Sequence, residues 1–262
     1  ATLAAMVEGA QVDFDTAMRI ESRYLASLMV SPVAKNMINT FFFNLNAIKS
    51  GQSRPKDVPK YKPQKVGILG AGMMGAGIAY AQASRGIATV LKDVSLEKAE
   101  HGKAYSQKLT QSRVDKGRMN PHDQTALLGR ITPTADVADL KGCELIIEAV
   151  FENRELKAKV TQEAEPLLAE GGFFASNTST LPISGLAQAS KRPEKFVGIH
   201  FFSPVDKMKL VEIIRGETTD DETVARAFDY VLALGKLPIV VNDSRGFYTS
   251  RTFGTFVMEG AA

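Results

Sequence analysis

The chain has 262 residues, a net charge of +3, and 44% hydrophobic and 23% charged residues, so it can bury a large core and has an ordinary soluble composition. Its basic residues are scattered rather than massed, which argues against nucleic acid as a partner. No apolar run approaches the ~20 residues of a membrane span, and the first residues lack the basic-then-apolar order of a secretory leader.

Residues 1–50 read as helical. Asp13-Phe14-Asp15 precedes a run in which Ile20, Leu25, Leu28 and Met29 recur at helical spacing. A second helix is expected over Val33–Lys49, with Met37, Ile38, Phe41, Phe42, Leu45 and Ile48 on its buried side. Residues 51–64 carry Pro55, Pro59 and Pro63 among charges, and read as a stiff, exposed connector.

From Lys65 onward strands and helices alternate. Strands are expected at 65–70, 88–92, 144–149, 172–176, 196–200, 208–213 and 237–241, with helices at 76–85, 95–116, 121–129, 153–169 and 219–234. This alternation predicts an α/β fold, a Rossmann-type doubly wound and mostly parallel sheet, preceded by the helical segment. The lone Cys143 rules out a disulfide framework within the chain and fits a reducing, cytoplasmic setting; it stands before an apolar strand and reads as a small buried hydrophobe. The chain opens on Ala1 rather than Met and closes inside an expected helix, Arg251–Ala261, so both ends read as cut.

The most informative stretch is Lys65 to Gly75, an apolar strand running into Gly70-Ala71-Gly72-Met73-Met74-Gly75. In such a turn the first glycine permits the tight bend, the second admits a pyrophosphate, and the third lets helix and strand pack closely. The helix N-terminus then offers free N–H groups to phosphates. A second strand ends at Asp93, placed to hold a ribose diol. Together these features predict a dinucleotide site.

Three further segments carry candidate chemistry. His200 closes the apolar run Phe196–Ile199 ahead of a Pro-containing loop, whereas His101 and His122 sit in polar helical contexts and read as solvated. Ala175 to Thr180 follows a strand and offers hydroxyl and amide groups, or simply a capped helix start. Glu212 lies among aliphatics in Leu210–Ile214, where a lone carboxylate is costly unless paired. A histidine is its natural partner, and a His–Glu pair beside a nicotinamide suggests alcohol–ketone hydride exchange.

At these residues the chain resembles the 3-hydroxyacyl-CoA dehydrogenases, and in particular the dehydrogenase part of the bacterial fatty-acid oxidation multienzyme (α subunit). The matching motifs are Gly70–Gly75, Glu148–Asn153, Ser176–Thr180, Gly198–Pro204 and Leu210–Gly216. The resemblance implies His200 as catalytic base, Glu212 as its partner, and Ser179 as the hydroxyl touching both substrate oxygen and nicotinamide. It implies NAD bound by Gly70, Gly72, Met73, Met74, Gly75, Asp93, Val150, Glu152, Lys157, Ser179 and Ser203; Val94 after Asp93 favours NAD over NADP. It implies an acyl-CoA substrate, with Ser106, Arg113 and Ser250 on the substrate side, and no metal. Residues 1–50 resemble the helical tail of a crotonase-like (enoyl-CoA hydratase) part with its linker helix; 65–247 is then the NAD-binding domain and 248–262 the truncated start of a C-terminal helical domain. Hydratase (lyase) activity would lie outside these residues, a thiolase subunit and oligomer formation would belong to the full-length assembly, and the fragment is expected to bind NAD with little turnover alone.

Two departures from the family pattern stand out. Ser203 occupies the Asn position of His-Phe-Phe-Asn-Pro, and Ser250 replaces the substrate-side Asn after Gly246-Phe247. Serine offers a shorter hydroxyl, so an orienting hydrogen bond is lost or rebuilt through water. With those serines, a catalytically idle NAD-binding member is one alternative; a small hydroxy-acid dehydrogenase is another, disfavoured by the Ser179, His200 and Glu212 set.

Overall fold

The computed structural model describes residues 1–261. The chain divides into two compact units, the first covering Ala1–Gln52 and the second beginning at Ser53. Helices α1 (Thr2–Gly9), α2 (Phe14–Met29) and α3 (Pro32–Ile38), a π-helical stretch over Asn39–Asn44, and α4 (Leu45–Lys49) make up the first unit. Asp13 and Ser31 cap α2 and α3 by accepting the Thr16 and Ala34 N–H groups. The expected burial of the Met/Phe stripe is not observed: Met37, Ile38, Phe41 and Phe42 stand exposed, with only Leu45 and Ile48 half-covered. A unit of this size has too little interior to cover every apolar face of its helices.

In the second unit the elements run β1 (Lys65–Leu69), α5 (Met73–Ala83), β2 (Ala88–Lys92), α6 (Leu96–Asp115), α7 (Pro121–Gly129), β3 (Ile131–Thr134), β4 (Cys143–Glu148), α8 (Arg154–Ala164), β5 (Leu168–Ser176), α9 (Ile183–Ala187), β6 (Phe196–Phe201), β7 (Leu210–Arg215), α10 (Asp221–Ala233), β8 (Leu237–Asn242) and α11 (Thr249–Ala261). Among the described residues the strands form one eight-stranded sheet in the order β3-β2-β1-β4-β5-β6-β7-β8. The first six are parallel; β7 pairs antiparallel with β6, and β8 runs parallel to β7. This is the doubly wound arrangement, and its strand order reverses between β1 and β4, where such sheets open a crevice at their carboxyl ends.

Alternation along each strand splits the core between the two faces. Val66, Ile68, Leu145, Ile147, Val197 and Ile199 pack on one side; Leu69, Ile146, Phe174, Phe196 and Ile214 pack on the other. Cys143 is buried in that second layer, as a small hydrophobe. Strand β3 was not expected, because Pro133 breaks its pattern. Proline is tolerated there because β3 is the sheet edge and pairs only with β2. No helix among the described residues is long and apolar enough to cross a membrane.

The connector departs from expectation. Instead of standing free, it is pinned to α10 by Asp229, whose carboxylate accepts from Arg54 Nε and Nη2 at 2.8 Å each, Lys60 Nζ at 3.0 Å and the Tyr61 N–H at 3.0 Å. Tyr61 packs edge-on against Phe173, with the Arg226 guanidinium over its ring. Burial pushes the Asp229 carboxyl up, but the Arg54 and Lys60 hydrogen bonds more than reverse this and hold it below the usual range. Arg54 and Asp229 side chains are 8% and 4% exposed, so neither ion can turn to water if its partner goes. Asp229→Ala is therefore expected to lower stability by about 3–5 kcal/mol in urea unfolding, because it strands a buried guanidinium.

Candidate active site

The glycine turn sits at the head of β1, and its geometry explains each glycine. Gly70 has φ +96°, and a Cβ there would lie 2.7 Å from the Ala149 carbonyl oxygen. A Cβ on Gly75 would collide with the Gly70 carbonyl oxygen, whereas one on Gly72 would meet nothing within 4 Å. Gly72 is also the N-cap of α5, so no side chain satisfies the first N–H groups of that helix. Open space, unpaired donors and a helix N-terminus coincide, which is the environment a pyrophosphate requires.

This turn borders a cleft of about 1000 Å³ lined by Gly70–Met74, Lys92–Val94, Ala149–Phe151 and the α6 residues Lys98 and His101. Asp93 stands at its edge, with Oδ2 accepting the Ala71 N–H at 2.6 Å and Oδ1 the Val94 N–H at 2.7 Å. Helix α6 lies hard against the turn, since a Cβ on Gly102 would fall 2.7 Å from the Ala71 carbonyl oxygen. That contact brings His101 to the cleft wall. The sequence offered only a polar helix there, and the missing signal was the packing role of Gly102.

A second cluster forms where β6 meets β7. His200 and Glu212 are directly opposite in the antiparallel register, so their side chains share one face. His200 Nδ1 lies 2.7 Å from Glu212 Oε2. Glu212 Oε1 accepts the Tyr248 and Thr249 N–H groups at 3.1 and 2.8 Å, and Oε2 accepts the Thr249 hydroxyl at 2.8 Å. Burial raises the Glu212 carboxyl, but the hydrogen bonds from His200 and Thr249 outweigh it and keep the group ionised below the ordinary range. An ionised carboxylate only accepts, so Nδ1 carries the proton and Nε2 presents its lone pair. The ring is packed against Phe202 and Phe247, at centroid distances of 4.5 and 6.0 Å. Glu212 thus seats the first residues of α11 as well as the imidazole, which sequence reasoning missed because Thr249 lies 37 residues away.

The loop after β5 is organised by two further acids. Glu152 Oε1 accepts from the Ser179 and Thr180 N–H groups at 3.0 Å each and from the Thr178 hydroxyl at 2.5 Å. Burial would raise Glu152, but the Thr178 hydroxyl and Lys157 ammonium overcome it and bring the carboxyl down to about 2. Lys157 Nζ sits 2.9 Å from both Glu148 oxygens and 3.3 Å from Glu152. Glu148 is deeply buried, and that burial pushes its carboxyl up against the pull of Lys157.

The sequence-predicted residues therefore divide. Gly70, Gly72, Met73, Met74, Asp93 and Val150 line the cleft, with Gly75 packed beneath the turn. The Ser203 hydroxyl reaches Met73 Sδ at 3.5 Å, joining the loop after His200 to the glycine turn. Ser179 is exposed on the Glu152-held turn. Lys157, expected on the cofactor side, is only 2% exposed and pairs with Glu148 and Glu152 beneath the loop. Ser106, expected on the substrate side, is fully buried with its hydroxyl unpartnered. Arg113 is exposed on α6, 3.3 Å from the Tyr80 hydroxyl, and Ser250 is exposed in the first turn of α11.

Residues 65–244 match the NAD-binding domain of 3-hydroxyacyl-CoA dehydrogenase. The chain belongs to the 3-hydroxyacyl-CoA dehydrogenase family. Among solved structures it is similar to the (S)-3-hydroxybutyryl-CoA dehydrogenase of Ralstonia eutropha, with 36% identity over 77% of this chain and 74% of that one, and a TM-score of 0.72. The 3-hydroxybutyryl-CoA dehydrogenase of Escherichia coli matches at 30% identity and TM-score 0.69, over 76% of this chain but 44% of that one. The dehydrogenase part of multifunctional enzyme 1 from C. elegans matches at 29% identity and TM-score 0.63, over 71% and 42% of the two chains. NAD is the cofactor of this domain, in keeping with the open Gly72 and the Asp93 carboxylate at the cleft edge.

The Glu152 cluster has a measurable consequence. A carboxyl whose folded value lies below the ordinary 4.5 stabilises fully above that pH and loses the contribution as pH falls toward about 2. Glu152→Gln is expected to be less stable than wild type at neutral pH, and the gap in urea midpoint is expected to narrow steadily from about pH 5 to about pH 3.

Proposed function

We propose that the chain oxidises (S)-3-hydroxyacyl-CoA to 3-oxoacyl-CoA with NAD, as the dehydrogenase part of a fatty-acid β-oxidation multienzyme. The observation that carries this is the His200–Glu212 pair: an imidazole with Nδ1 at 2.7 Å from a buried carboxylate, its Nε2 free, on a strand whose loop touches the glycine turn. The names of the Ralstonia and Escherichia proteins support the substrate class. In this reading His200 Nε2 takes the substrate's hydroxyl proton, and Glu212 stabilises the imidazolium that results. The Ser179 hydroxyl donates to the reacting oxygen, and Glu152 holds the turn that presents it. Bound NAD supplies the acceptor for the carbon-bound hydride.

The remaining assignments follow the same reading. Residues 1–50 form the helical tail of a hydratase-type part, 65–247 the NAD-binding domain, and 248–262 the opening of the helical domain that covers the substrate. Ser203 lies on the cofactor side; Ser250 and Arg113 lie on the acyl-CoA side. A thiolase subunit, an oligomeric full-length assembly with hydratase activity, and a cytoplasmic location complete the proposal.

The test is spectrophotometric. NADH is expected to appear when the full-length protein is mixed with NAD and 3-hydroxybutyryl-CoA, and His200→Ala is expected to lower its kcat by about 10²–10⁴-fold. Glu212→Gln should also lose kcat, since the amide's donor face can invert the imidazole tautomer. Unchanged turnover in His200→Ala would overturn the mechanism; no NADH with any acyl-CoA would favour an NAD-binding member that performs no chemistry.

A further inference from the structure

The parallel ladder between β5 and β6 ends at Ser176, opposite Gly198. Strand β6 continues to Phe201, held on its other edge by β7, with His200 opposite Glu212. On the β5 side the backbone partner has run out, because the chain leaves the sheet at Asn177 to build the Ser179 turn. The Phe201 N–H faces that vacated edge, where Asn177 Oδ1 accepts it at 2.9 Å. The Asn177 main-chain N–H meanwhile donates to the Glu148 carbonyl at 2.8 Å. A side-chain amide stands in for the strand that ended.

The placement matters because of what lies on either side. Asn177 is two residues before Ser179, and Phe201 directly follows His200, so one hydrogen bond joins the strand that carries the candidate base to the loop that carries the candidate hydroxyl. The amide can face only one way, since a main-chain N–H requires the oxygen. We propose that Asn177 is a positioning residue that sets the spacing between the Ser179 hydroxyl and the His200 ring; this rests on the reaction proposed above. An asparagine that only filled a turn would have no reason to reach across to the neighbouring strand.

Two readouts test this: amide exchange in the 262-residue chain, which is independent of activity, and turnover of the full-length protein. In ¹⁵N-labelled protein, Asn177→Ala is expected to speed exchange of the Phe201 amide by about tenfold or more, while Asn177→Asp, which keeps an acceptor oxygen, leaves it slow. In steady-state assays with 3-hydroxybutyryl-CoA, Asn177→Ala is expected to lower kcat about 10- to 100-fold with the Kd for NAD within about twofold of wild type, and Asn177→Asp to recover most of the loss. Wild-type exchange and kcat in Asn177→Ala would overturn the proposal. So would a joint loss of kcat and NAD affinity in both variants, which marks general disruption of the fold. If the full-length wild type produces no NADH, the proposed function fails, and exchange alone decides: faster exchange in Asn177→Ala supports the bridge, equal rates refute it.

Discussion

A carboxylate with no exposure to water holds this site together. Glu212 sits in the middle of a buried strand, 0% exposed, where an unpaired charge would neutralise or unfold the segment. It stays charged because four donors converge on it, from His200, Tyr248 and twice from Thr249. Those same donors are what the site needs fixed. One bond assigns the imidazole tautomer, and the others seat the start of α11 beside the ring. A substitution at residue 212 therefore reaches further than the loss of one contact, since base and helix entry share a single anchor.

The reversal of β7 makes that anchor possible. Had β7 continued the parallel run, His200 and Glu212 would not stand in direct register. The antiparallel turn-back through 202–209 places the two residues opposite, and the same loop carries Ser203 to Met73 at the head of α5. The loop is held from below by Lys236, whose Nζ donates to the Val205 and Met208 carbonyls at 2.5 and 2.7 Å, and by Tyr105, whose hydroxyl donates to Asp206 at 2.9 Å. The candidate base and the cofactor cleft are thus joined through a segment whose backbone is tied at several points, as a site of fixed geometry requires.

Buried charge recurs under the β5 loop. Lys157 and Glu148 lie within the protein, an arrangement that a hydrophobic pair of equal volume often matches in stability. Its structural effect is specific: Lys157 bridges Glu148 to Glu152, and Glu152 in turn gathers the N–H groups of Ser179 and Thr180. The acids and the lysine act as internal scaffolding for a turn that has no sheet partner of its own.

What the sequence by itself determined was whatever is encoded within about 30 contiguous residues: the strand, glycine turn and helix from Lys65, the acid ending β2, and the histidine closing β6. Period and punctuation carry that information because neighbouring residues make those contacts. Tertiary structure alone decided the rest. Pro133 lies in an edge strand, Lys157 and Ser106 are buried, and Arg54 locks the connector onto Asp229. His101 joins the cleft wall, and the Phe201 N–H ends on Asn177. Each depends on a partner brought near by strand direction or helix packing, and no local pattern specifies where a distant segment will come to rest.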